Sequence, residues 1–201
     1  QTKTGFYESN PKIFDFVGFI VPQKNELVIF ANDSFQTIPL TKGCFAEPNK
    51  AFDAYPINLR FVNLGSAMFV SGGISKKIQL KTSFTILIDR DHKGLIKTIN
   101  HFPDMIVGRE RHNMIYLEDK SKIIAASGFY NNSVEIADLN LQKWDPLPQL
   151  KEQRANATSS YVNNRFVYIF GGYKVVEKEG IYLNSAEVLD LNNINKGWGF
   201  I

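Results

Sequence analysis

The chain has 201 residues, 44% hydrophobic and 21% charged, with a formal net charge of +3 at pH 7. That balance excludes an intrinsically disordered chain, which would combine few apolar residues with a high net charge. It also argues against nucleic acid as a partner, because Lys76-Lys77 and Arg109-Glu110-Arg111 are too short and too neutralised to form a basic stripe.

In chain order, the first apolar stretch, Ile13 to Val21, is broken by Asp15. It falls well short of the roughly 18 residues a membrane span needs, so no membrane span is expected. The chain starts at Gln1 rather than Met, and the natural start is expected to lie outside these residues. Glu26-Leu27-Val28-Ile29-Phe30 reads as a strand leading through Phe35 to Pro39. Cys44 is the one cysteine; it has no partner for an internal disulfide, and a reducing, cytoplasmic setting is expected. Asn32, Asn131 and Asn156 open Asn-x-Ser/Thr sequons, which an Asn-rich chain produces by chance, so they do not argue for secretion.

The segments that follow are short and rich in side chains branched at Cβ, which suit a pleated sheet. Met68-Phe69-Val70-Ser71-Gly72-Gly73 precedes Phe84-Thr85-Ile86-Leu87-Ile88-Asp89. Met114-Ile115-Tyr116 and Ile123-Ile124 flank a tight turn at Glu118-Asp119-Lys120-Ser121, and the second run ends at Ser127-Gly128 before Val134-Glu135-Ile136-Ala137-Asp138. Tyr161-Val162 and Arg165-Phe166-Val167-Tyr168 flank Asn163-Asn164, where two asparagines tolerate the positive φ of a tight hairpin. That run ends at Gly171-Gly172, and Ala186-Glu187-Val188-Leu189-Asp190 follows. No segment keeps a 3.6-residue apolar period beyond about ten residues, so the chain reads as all-β.

The pattern repeats. From Gly73 to Gly128 is 55 residues and from Gly128 to Gly172 is 44, a period at which one supersecondary unit is reused because a single copy cannot bury its own core. A second signature keeps step: Trp144 stands four residues before Pro148, Ile99 four before Pro103, and Phe35 four before Pro39. Trp198 is next in phase. Gly128 lies 16 residues before Trp144, whereas Gly73 to Ile99 and Gly172 to Trp198 each span 26. The surplus fits two loops, Ile74 to Ser83 and Tyr173 to Asn184.

A glycine pair, a strand ending in Asp, a Trp and then Leu-Pro resembles the kelch repeat. The residues carrying it are Gly72, Gly73, Asp89 and Pro103; Gly128, Glu135, Asp138, Trp144 and Pro148; and Gly171, Gly172, Glu187, Asp190 and Trp198. The resemblance covers residues 60 to 201 well and the first 50 poorly. It implies a kelch-type β-propeller, with about three to four blades of the ring in this chain and the ring completed past Ile201 or by another segment. It divides the chain into 1–40, the tail of a degenerate blade or a linker; 41–103, a degenerate repeat with Ile99 in place of Trp; 104–150, a repeat; and 151–201, a repeat cut off in mid-blade.

The chemistry-bearing residues do not assemble into a motif. His92, His101 and His112 show no ligand spacing. Asp89-Arg90-Asp91-His92 reads as a turn after a strand rather than an acid–base site, since Asp138 and Asp190 stand at matching places. The glycine pairs lack the Lys-Ser/Thr of a phosphate loop, and no nucleophile elbow occurs. Some kelch-like propellers are copper oxidases with a cysteine–tyrosine cross-link, but Cys44 has no histidine pair near it. No catalytic, cofactor-binding or metal residue is therefore assigned, and no cofactor is expected. The partner-binding candidates lie in loops, which carry function on rigid scaffolds: Phe45, Phe52 and Tyr55; Lys76 and Lys77; and Tyr173 and Lys174. The expected function is a non-catalytic protein–protein interaction scaffold in a multi-subunit assembly, cytoskeletal or ciliary. The alternatives are a propeller oxidoreductase whose site is completed by missing blades, and a ubiquitin-ligase substrate adaptor; the helical BTB domain usual in such adaptors is not in these residues.

Overall fold

The computed structural model describes residues 16–21, 26–31, 34–39, 56–65, 67–89 and 95–201. The loop candidates Phe45, Phe52 and Tyr55, as well as Cys44 and Arg90 to His92, lie outside them. Within them the protein is all-β: antiparallel sheets with two short 3-10 turns, Glu118–Lys120 and Leu191–Lys196. No helix among the described residues is long and apolar enough to cross a membrane.

A three-stranded antiparallel sheet comes first, formed by β1 (Phe16–Val21), β2 (Glu26–Ala31) and β3 (Ser34–Pro39). Three four-stranded meanders follow. The first unit holds β4 (Arg60–Asn63), β5 (Ala67–Ser71), β8 (Ser83–Asp89) and β9 (Leu95–Phe102). The second holds β10 (Asn113–Leu117), β11 (Lys122–Gly128), β12 (Asn131–Asp138) and β13 (Lys143–Leu147), and the third β14 (Thr158–Val162), β15 (Phe166–Phe170), β18 (Ala186–Asp190) and β19 (Gly199–Phe200). The surplus of the first and third units forms two hairpin ribbons, β6 (Ile74–Ser75) with β7 (Ile78–Gln79), and β16 (Tyr173–Val176) with β17 (Glu179–Tyr182).

Register aligns the units residue by residue. Ile86 lies opposite Ile99, and Ala137 opposite Trp144, so Ile99 stands at the level of Trp144. The acidic positions match less well. Lys122 pairs with Asp138, Phe166 with Asp190 and Ala67 with Leu87, so Leu87 takes the level of the two aspartates. Asp89 falls two residues later, past a bulge at Leu87/Ile88. Asp138 and Asp190 both close turns: Asp138 Oδ1 accepts from the amides of Asn140 and Leu141, and Asp190 Oδ1 from that of Asn192.

Alternation gives each sheet two faces, and consecutive sheets pack face to face. Leu64, Ala67 and Phe69 of the first sheet meet Ile123, Ala125, Ala137 and Trp144 of the second. Ile115, Leu117, Ile124, Ala126 and Val134 of the second meet Val167, Ile169, Leu189 and Trp198 of the third. Each of these larger side chains contributes about 1.5–3 kcal/mol when fully buried. Trp144 and Trp198 fill the seams, and their indole N–H groups donate 2.9 Å bonds to the carbonyls of Pro103 and Pro148, the residues that leave the preceding sheet. Sequence neighbours of one repeat are thus welded to the next.

The connectors that follow are held by buried ion pairs. Glu135 accepts the amides of Ile106 (2.6 Å) and Val107 (3.3 Å) and pairs with Arg109. Arg109 spans the carbonyls of Ser127 and Ser133. In the third unit Glu187 accepts the amides of Lys151 (2.7 Å) and Glu152 (3.2 Å) and pairs with Arg154 at 3.0 Å, while Arg154 binds the carbonyls of Gly171 and Ser185. The first unit does without the pair: Pro56 and Phe84, both buried, occupy the equivalent places. After each connector one residue turns left-handed, Asn58, Arg111 and Asn156 at φ of 59°, 54° and 51°. The amide of Arg111 donates to Asn58 O, and that of Asn156 to Arg111 O, a row that advances one link per unit.

Candidate functional site

Three elements from three different units meet on the face at the end of each second strand. The turn joining β11 to β12 carries Phe129 and Tyr130. From one side Gln79 of the first ribbon donates through Nε2 to Phe129 O at 2.8 Å. From the other side Tyr173 of the second ribbon sets its ring 6.2 Å from that of Phe129. Tyr130 packs edge-on to Phe129 at 4.2 Å, and Tyr182 lies 6.2 Å from Tyr173.

Glycine makes the approach possible. Gly128 has φ +133°, and a Cβ there would lie 2.6 Å from Glu110 O; only a residue without Cβ tolerates both. The strand can therefore end against the connector of its own unit and deliver Phe129 directly to the surface. At Gly72, with φ +65°, a Cβ would likewise collide with Arg109 O across the seam.

Arg111 sits in the middle of this cluster. Its guanidinium lies 5.5 Å over the Phe129 ring and donates to Tyr173 Oη at 2.6 Å, a cation–π and hydrogen-bonded arrangement that keeps the charge at the surface. Arg60 stands beside it, donating to His112 O, Leu59 O and Asn156 Oδ1. Burial lowers the pKa of Arg60, and the neighbouring charge of Arg111 lowers it further. Tyr130 is 66% exposed and Tyr182 87%. Such a patch can bury against a partner while its hydroxyl and guanidinium groups orient it. Ile181 and Val176 are exposed as well, but register places them with Lys174 on the face of the second ribbon opposite Tyr173 and Tyr182.

Of the loop candidates, Tyr173 lies in this cluster. Lys174 is tied to Glu152 at 2.7 Å, which holds the Glu152 carboxyl below its usual pKa; Lys174 is a strut rather than a docking charge. Lys76 and Lys77 form the turn of the first ribbon at φ 48° and 66°, exposed beside Ile78. Sequence reasoning passed over Arg111, Tyr130 and Tyr182. For Tyr130 a signal existed: Phe129-Tyr130 directly follows Gly128, as Tyr173 follows Gly172.

One pair has the look of a nucleophile and its base. Ser71 Oγ lies 3.0 Å from His112 Nε2. Both are sealed, at 0% and 1% exposure, and His112 Nδ1 has no hydrogen-bond partner to orient the ring. Burial pulls the His112 pKa well below 6.5, and the charges of Arg109 and Arg60 push the same way. The pair closes the first seam and has no route to a substrate. Among the described residues no three His, Cys, Asp or Glu side chains gather closely enough to hold a metal ion. At the other ends of the strands, a groove of about 670 Å³ runs between Leu87, Phe102 and the Leu139–Gln142 turn. No protein-family model matches the chain, and no curated protein matches it at a significant level.

Proposed function

We propose that this protein is a non-catalytic interaction scaffold built on kelch-type repeats, and that it works as one component of a larger assembly. Support for the repeat reading comes from three successive four-stranded meanders, each seam filled by a tryptophan that bonds back to the preceding unit. The observation that carries the binding reading is the convergence of Gln79, Phe129 and Tyr173 from three units. The inserted ribbons do not stray separately into solvent; they border one exposed aromatic surface centred on Arg111. Tyrosine and arginine are the residues that most often dominate binding energy at interfaces. The setting proposed with it is cytoplasmic, in a cytoskeletal or ciliary assembly, with a ubiquitin-ligase substrate adaptor as the alternative.

The test is to isolate the protein with its companions from the native source and rebind those companions to wild type and to a Tyr130→Ala/Tyr182→Ala variant. Loss of two exposed anchors is expected to weaken binding about thirtyfold or more, with the melting temperature unchanged. Undiminished rebinding would refute this face as the interface.

A further inference from the structure

We propose that Arg60 and Arg111 together form a site for the carboxylate of an acidic peptide segment, so that a partner docked on the aromatic face is anchored by an Asp or Glu side chain. The inference rests on the reading of that face as the interface and adds the chemistry of what it takes.

The row of left-handed residues brings the two arginines together. Arg60 of β4 reaches across the seam, where its Nε donates to His112 O at 3.0 Å and its Nη2 to Asn156 Oδ1. Asn156 in turn donates its amide to Arg111 O at 2.9 Å. The Arg111 guanidinium is steadied from the other side by Tyr173 Oη at 2.6 Å and by the Phe129 ring beneath it. Both forks are therefore positioned before any ligand arrives, and neither can shed its proton.

Their donors and charge are only partly answered. Among the described residues, Arg60 bonds through three of a guanidinium's five N–H groups, and every acceptor is neutral. Arg111 Nε is buried with no hydrogen-bond partner. Among the described residues one carboxylate pairs with the two arginines: Glu110, 3.7 Å from Arg111 Nε. Its Oε2 also accepts from Asn58 Nδ2 at 2.7 Å. Burial and then the charge of Arg111 lower the Arg60 pKa, so the fold holds two like charges close together at a cost that an added anion relieves.

The surplus says which anion fits. Two guanidinium groups against Glu110 leave one positive charge, which a carboxylate balances and a phosphate near −2 oversteps. The planar fork of arginine also matches the two oxygens of a carboxylate. The Arg111 side chain is 37% exposed, so an acid can reach it without opening the seam. Phe129, Tyr130 and Tyr173 border the site, and these rings suit an acid carried on a peptide with apolar neighbours rather than a free ion.

The test selects a phage-displayed library of random heptapeptides on the whole 201-residue chain. Recovered peptides are expected to share an Asp or Glu at one position, and changing it to Asn or Gln should weaken binding about tenfold or more. Arg111→Gln should cost as much with the unaltered peptide, and Arg111→Lys should recover part of it by keeping the charge without the fork. Arg111 makes no side-chain bond to the backbone among the described residues, so its variants are expected to stay folded even if Arg60→Gln, the second variant, does not. Peptides that need Tyr130 and Tyr182 but carry no acid would overturn this proposal and leave the interface standing. Acidic peptides that need both arginines yet bind Tyr130→Ala/Tyr182→Ala at full strength would uphold the carboxylate site and remove the aromatic anchors. Recovery of no peptide, acidic peptides indifferent to Arg111→Gln, or displacement by inorganic phosphate at lower concentration than by acetate would each overturn the proposal.

Discussion

Removing Glu187 should unfold the protein more readily than removing any exposed charge, and the geometry sets the scale. Glu187 and Arg154 are both 0% exposed. Glu187→Ala deletes the acceptor for the Lys151 and Glu152 amides and for Arg154 Nε. It leaves a fully buried guanidinium whose other carboxylate contact is Glu152 at 3.4 Å. Breaking a buried pair from one side costs about 3–5 kcal/mol, a large share of the roughly 5–15 kcal/mol that holds a domain folded. Replacing both partners by apolar residues often restores stability, but not here. A double Arg154→Met/Glu187→Leu variant would strand two connector amides and the carbonyl of Gly171, at about 1–3 kcal/mol for each buried group left unpaired, while Ser185 O keeps the Gly171 amide. The double variant is thus expected to be no more stable than the single one. Urea denaturation followed by the fluorescence of Trp144 and Trp198, which sit in the two seams, reads both. A loss below about 1 kcal/mol for Glu187→Ala, within the range of an exposed pair, or a double variant as stable as wild type, would refute the reasoning.

Two further outcomes follow from the seams. His112 is held neutral, with a folded-state pKa below the unfolded value of 6.5. Its contribution is fully present above about pH 6.5 and is lost as pH falls from there toward the folded-state pKa, with a slope of up to about 1.4 kcal/mol per pH unit. Urea midpoints between pH 7.5 and 5 should show that slope, and His112→Gln should flatten it. Gly128→Ala should cost about 2–4 kcal/mol, because the new Cβ meets Glu110 O at a left-handed φ. Gly199→Ala, with nothing within 4 Å of its Cβ, should fall within about 0.5 kcal/mol; equal effects at the two sites would remove close approach as the cause.

Strands and turns were legible in this sequence because their signals are local. Asn163 and Asn164 both adopt positive φ, at 53° and 52°, where the amino-acid types predicted a tight hairpin, and Ser121 closes its turn at φ 50°. The ribbons were not legible as hairpins. Their turns are Lys76-Lys77 and Glu177-Lys178, all at positive φ, and nothing in those residue types announces such a conformation. Nor did charge patterning reveal Arg109 and Arg154 as interior residues, since arginine is ordinarily exposed unless paired, and their partners lie 26 and 33 residues away.

The deepest division concerns faces. Alternation within a strand is written in the sequence, so Phe166, Tyr168 and Phe170 fall on one side and Val167 and Ile169 on the other. Which side is buried is not written there, because burial depends on the sheet that lies across it. The aliphatic side meets Ile124 and Ala126, more than forty residues earlier, while the aromatic side stands open. By itself the sequence determined the period, the strands and the glycines that let them end against a neighbour. Only the tertiary structure decided that each tryptophan reaches back one unit, that the inserted ribbons meet over Arg111, and that the last sheet keeps an uncovered face. Those outcomes depend on distances between residues that no local pattern encodes.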